Sequence, residues 1–233
     1  MAGGAWSQHS SLAGTVRAMD IVDPQVEAYM RSLLDRYDEP VLLEMEAEGK
    51  ERGFPIIGRL VGVAVELLAR SIEASRVFEL GSGFGYSAYW FARAVGRRGE
   101  VHCTDGDPGN EPKALGYLGR AGLAEPVRWH VGDALTNLDA VEGEFDVVYC
   151  DIDKEGYPDA WRAARERVRA GGLYVCDNVL WSGAVADPEG DHDRDRATTD
   201  AIIEHNRLIA EDDRFVSSIV PTRDGVFVAL RVR

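Results

Sequence analysis

The chain has 233 residues, a length that suits one α/β domain with room for a full core. It carries 40 acidic against 26 basic residues, a net charge of −14, so its surface repels phosphate backbones and general nucleic-acid binding is disfavoured. No apolar run is long enough to span a bilayer.

Met1 to Ser11 is small and polar, without the basic start and apolar stretch of a signal peptide, and reads as a disordered or partner-contacting arm. Pro24 to Gly49 reads as one charged helical stretch, with apolar positions at Val26, Tyr29, Met30, Leu33 and Leu34, then Val41, Leu42, Leu43 and Met45. Arg52-Gly-Phe-Pro55 breaks it. A second helix follows with Leu60, Val63, Ala64, Leu67 and Leu68 on one face. Residues 1–53 are thus expected to form a helical arm or cap over a site or a second subunit, ahead of a core at 54–233.

From there the pattern alternates. Strands are predicted at 76–80, 100–105, 127–131, 145–151 and 172–177. Helical patterns lie between most of them, including 157–169 with Tyr157, Trp161, Ala164 and Val168 inward. A helix over 196–210 leads to strands at 215–220 and 226–232, joined by a short Asp-Gly turn. Short apolar strands separated by helices imply a parallel sheet with both faces covered, here finished by an antiparallel hairpin.

The first strand runs straight into Glu79-Leu-Gly81-Ser-Gly83-Phe-Gly85, and a helical pattern begins at once. A turn of this kind exposes backbone N–H groups, and glycine lets a ligand approach them closely. A dinucleotide site wants Gly-x-Gly-x-x-Gly, with a pyrophosphate on the helix N-terminus. Here the third glycine comes one residue early and an acid precedes the first by two. That Glu-x-Gly-x-Gly-x-Gly spacing is the pattern of S-adenosylmethionine (SAM) enzymes. The bland alternative is a tight turn with no ligand.

Acids gather where such sheets bind ligands, at the carboxyl ends of the strands. Asp105 ends the second strand, twenty residues beyond Gly85, the place for a carboxylate that accepts from both ribose hydroxyls. Its other reading is a helix N-cap, a role for which Asp107 is the better candidate. Asp133 and the Ala134 amide could read an adenine edge, although Gly-Asp is also ordinary turn chemistry. Asp151 and Asp177 each end a neighbouring parallel strand, and Asn178 adds an amide oxygen. Together they make a hard, all-oxygen partial shell suited to Mg²⁺; the alternative is two caps and a turn asparagine. Lys154, one of three lysines, could be a surface ion-pair partner, or a base if a dication beside it lowers its pKa. Cys103, Cys150 and Cys176 are too widely spaced for a zinc set and read as buried thiols in a reducing cytoplasm.

The segments Phe145-Asp-Val-Val-Tyr-Cys-Asp-Ile-Asp-Lys-Glu-Gly-Tyr157 and Gly171-Gly-Leu-Tyr-Val-Cys-Asp-Asn-Val-Leu-Trp-Ser-Gly183 resemble signature segments of the cation-dependent class I O-methyltransferases, which include catechol and caffeoyl-CoA O-methyltransferases and bacterial relatives. The ending Asp213-Arg-Phe…Pro221…Asp224-Gly fits too, and the likeness runs from about Phe54 to the C-terminus. It implies a Rossmann-like SAM-methyltransferase fold with a seven-stranded, mostly parallel sheet and helices on both faces. It further implies that Asp151, Asp177 and Asn178 hold Mg²⁺ (or Mn²⁺ or Ca²⁺), that Lys154 is the base, and that Asp151 acts beside it and faces the SAM amino group. Glu79, Gly81, Gly83 and Ser87 line the methionine and ribose end of SAM, Asp105 holds the ribose, Asp133 and Ala134 the adenine, and Trp181 borders the acceptor pocket. The N-terminal region is closer to bacterial members than to plant ones, which argues against a CoA-ester acceptor.

The expected activity is therefore methyl transfer to a hydroxyl of a catechol-like, vicinal-oxygen small molecule, by a cytoplasmic homodimer. The long acidic stretch 184–195 is a solvated loop by composition and lies near the acceptor pocket by resemblance. A metal-dependent enzyme acting on a tRNA hydroxyuridine is the alternative within bacterial relatives, with Arg93, Arg97 and Arg98 as a possible local basic patch. A nicotinamide oxidoreductase is disfavoured by the glycine spacing. A non-catalytic binding module has no use for the Asp-Asp-Asn-Lys set.

Overall fold

The computed structural model describes residues 21–190 and 193–233; the Met1–Ser11 arm and Asp191 of the acidic stretch lie outside them. Strands β1 (Arg76–Leu80), β2 (Glu100–Asp105), β3 (Val127–Val131), β4 (Phe145–Cys150), β5 (Val168–Cys176), β6 (Phe215–Val220) and β7 (Val226–Arg231) form one sheet in the order β3-β2-β1-β4-β5-β7-β6. The pairs from β3 to β5 are all parallel, and β7 runs antiparallel to both β5 and β6. The parallel sheet with a terminal antiparallel hairpin is as expected. Because the chain leaves β1 toward β2 and β3, then returns to β4 on the other side, a crevice opens at the carboxyl ends of β1 and β4.

Alternation along the strands divides the core in two. Val77, Cys103, Val147, Tyr149 and Val175 face helices α2 (Pro40–Arg52), α3 (Gly58–Ser71), α4 (Tyr86–Val95) and α5 (Asn110–Arg120). Phe78, Leu80, Phe145, Val148, Cys150 and Cys176 face α6 (Ala134–Ala140), α7 (Tyr157–Ala164) and α8 (Arg196–Ala210). All three cysteines are buried free thiols, as expected. Trp90 and Trp161, one per layer, are completely buried, and each such large side chain contributes roughly 3 kcal/mol of burial. Trp90 lies so close to α3 that a Cβ at Gly62 would sit 2.2 Å from its Nε1, so that glycine is a packing requirement.

Three expectations are corrected. The stretch 24–49 is not one helix: α1 (Pro24–Ser32) and α2 are separated by a short 3₁₀ turn at Asp35–Tyr37. Pro40 has no N–H to continue a helix and forces Glu39 into an extended conformation (φ −85°, ψ 138°). On α3 the buried face is Val61, Gly62, Val65, Glu66 and Ala69, while Leu67 is exposed; small residues face inward because α4 lies close there. Finally, α7 stops at Ala164 and β5 begins at Val168, whose partner is Phe145. Helix-forming Arg165 to Ala170 misleads by composition. The Arg167 side chain donates to the carbonyls of Leu138 and Gly143 and ties the turn down. Of the suggested basic patch, Arg93 is paired with Glu39 and Glu66, and Arg97 with Glu125. Among the described residues no helix is long and apolar enough to cross a membrane.

Helix α8 is locked to β5 by a buried polar chain. Asn206 Nδ2 donates to the Val179 carbonyl at 2.8 Å, which turns its Oδ1 toward His205 Nδ1 at 3.1 Å. His205 Nδ1 therefore donates, and Nε2 is left to accept from the Tyr174 hydroxyl at 3.0 Å. Burial pushes the imidazole down to about 4, so it is neutral in the fold and charges only when the chain opens. Between pH 6.5 and 4 the unfolded state binds the extra proton, so stability falls as pH falls through that window. Chemical denaturation should show wild type losing roughly 2–3 kcal/mol more than His205→Gln between pH 7.5 and 4.5; parallel pH curves would refute the assignment.

Candidate active site

The crevice is a cavity of about 1640 Å³, large enough for a cofactor and a second small molecule. Gly81, Gly83, Ser87, Asp105, Asp133, Ala134, Asp151, Lys154, Asp177, Asn178 and Trp181 all line it. Glu79 does not. Its carboxylate is fully buried beneath the glycine turn, accepting from Ser82 Oγ at 3.0 Å and Cys103 Sγ at 3.2 Å. Burial pushes it up to about 7, against the hydrogen bonds that favour the carboxylate. It braces the turn from below.

The glycines also serve the protein's own packing. Gly81 has φ +83°, and a Cβ there would sit 2.4 Å from the Asp151 carbonyl oxygen. The close neighbour is thus the end of β4, so glycine here lets the two strand ends meet. Asp105 Oδ1 accepts from Asp107 N (2.8 Å) and Asn110 Nδ2 (3.0 Å), which fixes the carboxylate at the cavity wall. Asp107 does not cap α5: Gly109 holds the cap position and Asp107 accepts from its N–H. Asp133 is the N-cap of α6, with Oδ1 accepting from Thr136 N and Oγ1, both at 2.7 Å. Those bonds hold its carboxyl below the usual carboxylate range.

Cys150 pairs with Cys176 in the parallel ladder, so the residues that follow, Asp151 and Asp177, leave the sheet side by side. Asp177 is almost fully buried and makes no ion pair among the described residues. Burial first, then the Asp151 charge, pushes its carboxyl up to about 7. Its Oδ1 accepts from Asn178 N at 2.9 Å, and Asn178 takes the left-handed conformation (φ 57°). Trp181 (φ 50°) and Arg223 (φ 51°), both on the cavity wall, are left-handed too; such strain collects at ligand sites. No group of three or more His, Cys, Asp and Glu side chains among the described residues is arranged to hold a metal. The candidate set has two carboxylates and one amide instead. Two neighbouring carboxylates, one of them buried, with an amide oxygen adjacent, are a donor set that fits a hard dication.

Lys154 opens a 3₁₀ turn (Lys154–Gly156) between β4 and α7. Its Nζ donates to Asp151 Oδ1 (2.8 Å), the Tyr157 hydroxyl (2.7 Å) and the Ile152 carbonyl (3.3 Å). Burial opposes its charge, but the Asp151 carboxylate outweighs that and raises its pKa. Tyr157 in turn donates to the Asp177 carbonyl at 2.8 Å. Sequence reasoning missed several wall residues. Phe54 lies against Gly83, Arg223 Nη1 donates to the Ile56 carbonyl at 2.8 Å, and the Arg194 guanidinium stacks 4.1 Å from the Trp181 ring centroid. Arg223 belongs to the Pro-Thr-Arg-Asp-Gly turn, whose composition signals only a hairpin.

Residues 38–232 match the O-methyltransferase family model. A catechol O-methyltransferase of Niastella koreensis is 33% identical over 168 residues, 70% of this chain and 76% of that protein. A caffeoyl-CoA O-methyltransferase of Eucalyptus gunnii is 30% identical over 179 residues, 74% and 72%. The crystal structure of the O-methyltransferase TomG from Streptomyces achromogenes, involved in tomaymycin synthesis and solved with SAM, superposes with a TM-score of 0.79. It is 29% identical, covering 90% of this chain and 96% of that one. The chain belongs to the O-methyltransferase family and is a SAM-dependent enzyme of that class. None of these relatives is named for a tRNA substrate, and the tRNA reading finds no support.

Proposed function

We propose that the protein transfers the SAM methyl group to one hydroxyl of a catechol-like small molecule, with a divalent cation at Asp151, Asp177 and Asn178. The observation that carries this is the pair of carboxylates at the ends of β4 and β5, Asp177 buried and Asp151 half-buried, with the Lys154 amine 2.8 Å from Asp151. The catechol and caffeoyl-CoA acceptors in the relatives' names support the acceptor class.

In this reading the Asp105 carboxylate holds the ribose diol, Asp133 and Ala134 border the adenine, and Gly81, Gly83 and Ser87 line the methionine end. Glu79 acts through the turn it braces, without touching SAM. A dication held by Asp151, Asp177 and Asn178 would supply Lewis acidity, which lowers the pKa of an acceptor hydroxyl. Lys154 Nζ, held at 2.8 Å from Asp151 Oδ1, is the group placed to take the acceptor's proton once the charge of a cation at Asp151 offsets the carboxylate that raises its pKa. Trp181, backed by Arg194, borders the acceptor ring. Fixing both reactants in one cavity supplies much of the rate. Helix α2 caps the cavity, since Glu46, Gly49, Lys50 and, just past its end, Gly53 belong to the wall. Helix α1 presents Val26, Tyr29 and Leu33 more than half or about half exposed (50%, 65% and 59%). An apolar face of that kind fits a second copy of the chain.

Three measurements test this reading. Asp105→Ala should weaken SAM binding by roughly 1–3 kcal/mol in calorimetry; unchanged affinity would remove its ribose role. Turnover of catechol should vanish in excess chelator and return with Mg²⁺ or Mn²⁺, while SAM binding survives. Asp177→Ala should abolish turnover without loss of stability at pH 7, because it removes a buried carboxyl that burial disfavours. Full activity in chelator, with the variant equally active, would make the cluster structural. Light scattering should give a dimer mass, and Tyr29→Glu with Leu33→Glu should shift it toward monomer; a monomer at all concentrations would exclude the α1 interface.

A further inference from the structure

Three polar residues follow one another at a spacing of three: Asp151, Lys154 and Tyr157. In the 3₁₀ turn that joins β4 to α7, residues i and i+3 lie one above the other. Lys154 and Tyr157 are therefore stacked by the backbone, and the Lys154 nitrogen lies 2.7 Å from the Tyr157 oxygen and 4.8 Å from the ring centroid. Tyr157 has no exposed surface, and its ring packs at 5.1 Å from that of His205. Core packing thus fixes where the hydroxyl is.

The direction of its hydrogen bonds is fixed as well. A tyrosine hydroxyl has one hydrogen, and the Asp177 carbonyl takes it at 2.8 Å. Toward Lys154 the oxygen can only accept. A freely rotating hydroxyl could instead donate to the amine and occupy the lone pair that a base needs; this one cannot. The Ile152 carbonyl, 3.3 Å from Nζ, is likewise only an acceptor. With Asp151 Oδ1 as the third acceptor at 2.8 Å, the nitrogen donates in all three directions, and the hydroxyl helps to fix it at the cavity wall between the ends of β4 and β5.

We infer that Tyr157 is a positioning residue for the Lys154 amine: it spans from the amine at the end of β4 to the Asp177 peptide at the end of β5, and so holds the nitrogen in place on the cavity wall. This rests on the reading of Lys154 as the base. Tyr157 touches neither substrate nor cofactor, so its effect belongs in kcat and not in the binding of SAM.

Tyr157→Phe keeps the ring and removes the hydroxyl. With catechol and Mg²⁺, its kcat should fall about 10- to 100-fold, part of what a general base supplies. The KM for SAM and the Mg²⁺ concentration for half-activation should stay as in wild type. Unchanged kcat would overturn the inference. So would a loss of rate that excess Mg²⁺ restores, because the hydroxyl would then only be propping Asp177. Calorimetric SAM affinity equal to wild type certifies that the variant is folded. Should it not fold, 2,3-difluorotyrosine placed at 157 weakens the acceptor without changing its shape, and the same split between kcat and KM is expected. Lys154→Ala separates this inference from its premise. If it loses rate and Tyr157→Phe does not, only the positioning role fails. If Lys154→Ala turns over like wild type, or wild type transfers no methyl group to catechol, the base reading fails and takes this inference with it.

Discussion

Two carboxylates at the ends of adjacent parallel strands repel each other, and the rest of the site is arranged around that repulsion. The Cys150–Cys176 register leaves Asp151 and Asp177 no freedom to separate. Burial takes Asp177 out of water, and that together with the Asp151 charge pushes its carboxyl up to about 7. The Lys154 ammonium answers from one side at 2.8 Å from Asp151, and the Arg223 charge acts on Asp177 from another. Neither supplies a full counter-charge to both acids, which is the electrostatic condition under which a dication is held.

The cap over this site is pinned by a repeated device. On or just ahead of α2, three acids each bind a cation and a tyrosine from the elements beneath, and Glu48 binds Arg52 of α2 as well. Glu39 takes Arg93 and Tyr89, Glu46 takes Arg59 and Tyr86, and Glu48 takes Lys113 and Tyr117. The last pair of bonds draws the Glu48 carboxyl down to about 2. Single exposed ion pairs contribute little, about 0–1 kcal/mol each. Here each acid is shared between a charge and a hydroxyl that the core already holds in place, so less side-chain freedom is lost per bond. The result fixes α2 over the cavity by polar bonds. Much of the acidity that excludes nucleic acid by composition is thus used within the fold, and Arg93 is neutralised in the same network.

How much was legible follows from the range of each interaction. Strand–turn–helix alternation, the glycine turn and the acids ending β2, β4 and β5 are local patterns, and every residue assigned to the cavity from them except Glu79 lies on its wall. Glu79 is the exception because alternation along β1 puts it on the same face as Val77, under the turn. The boundary at Val168 was missed because a parallel ladder with Phe145 overrides a helix-forming composition. The inward face of α3 was missed because Trp90 selects Gly62 over leucine.

By itself the sequence determined the class of sheet and the gathering of acids at the carboxyl ends of its strands, because period, turn chemistry and strand-end position are properties of short segments. Only the tertiary structure decided which acids meet and which one stays beneath the turn. It alone showed that Gly81 admits the Asp151 carbonyl, and that Tyr157, read from its period as a core residue, binds both the lysine and the Asp177 peptide. Those facts depend on register between strands distant in sequence and on the close approach of their ends, and no local pattern records either.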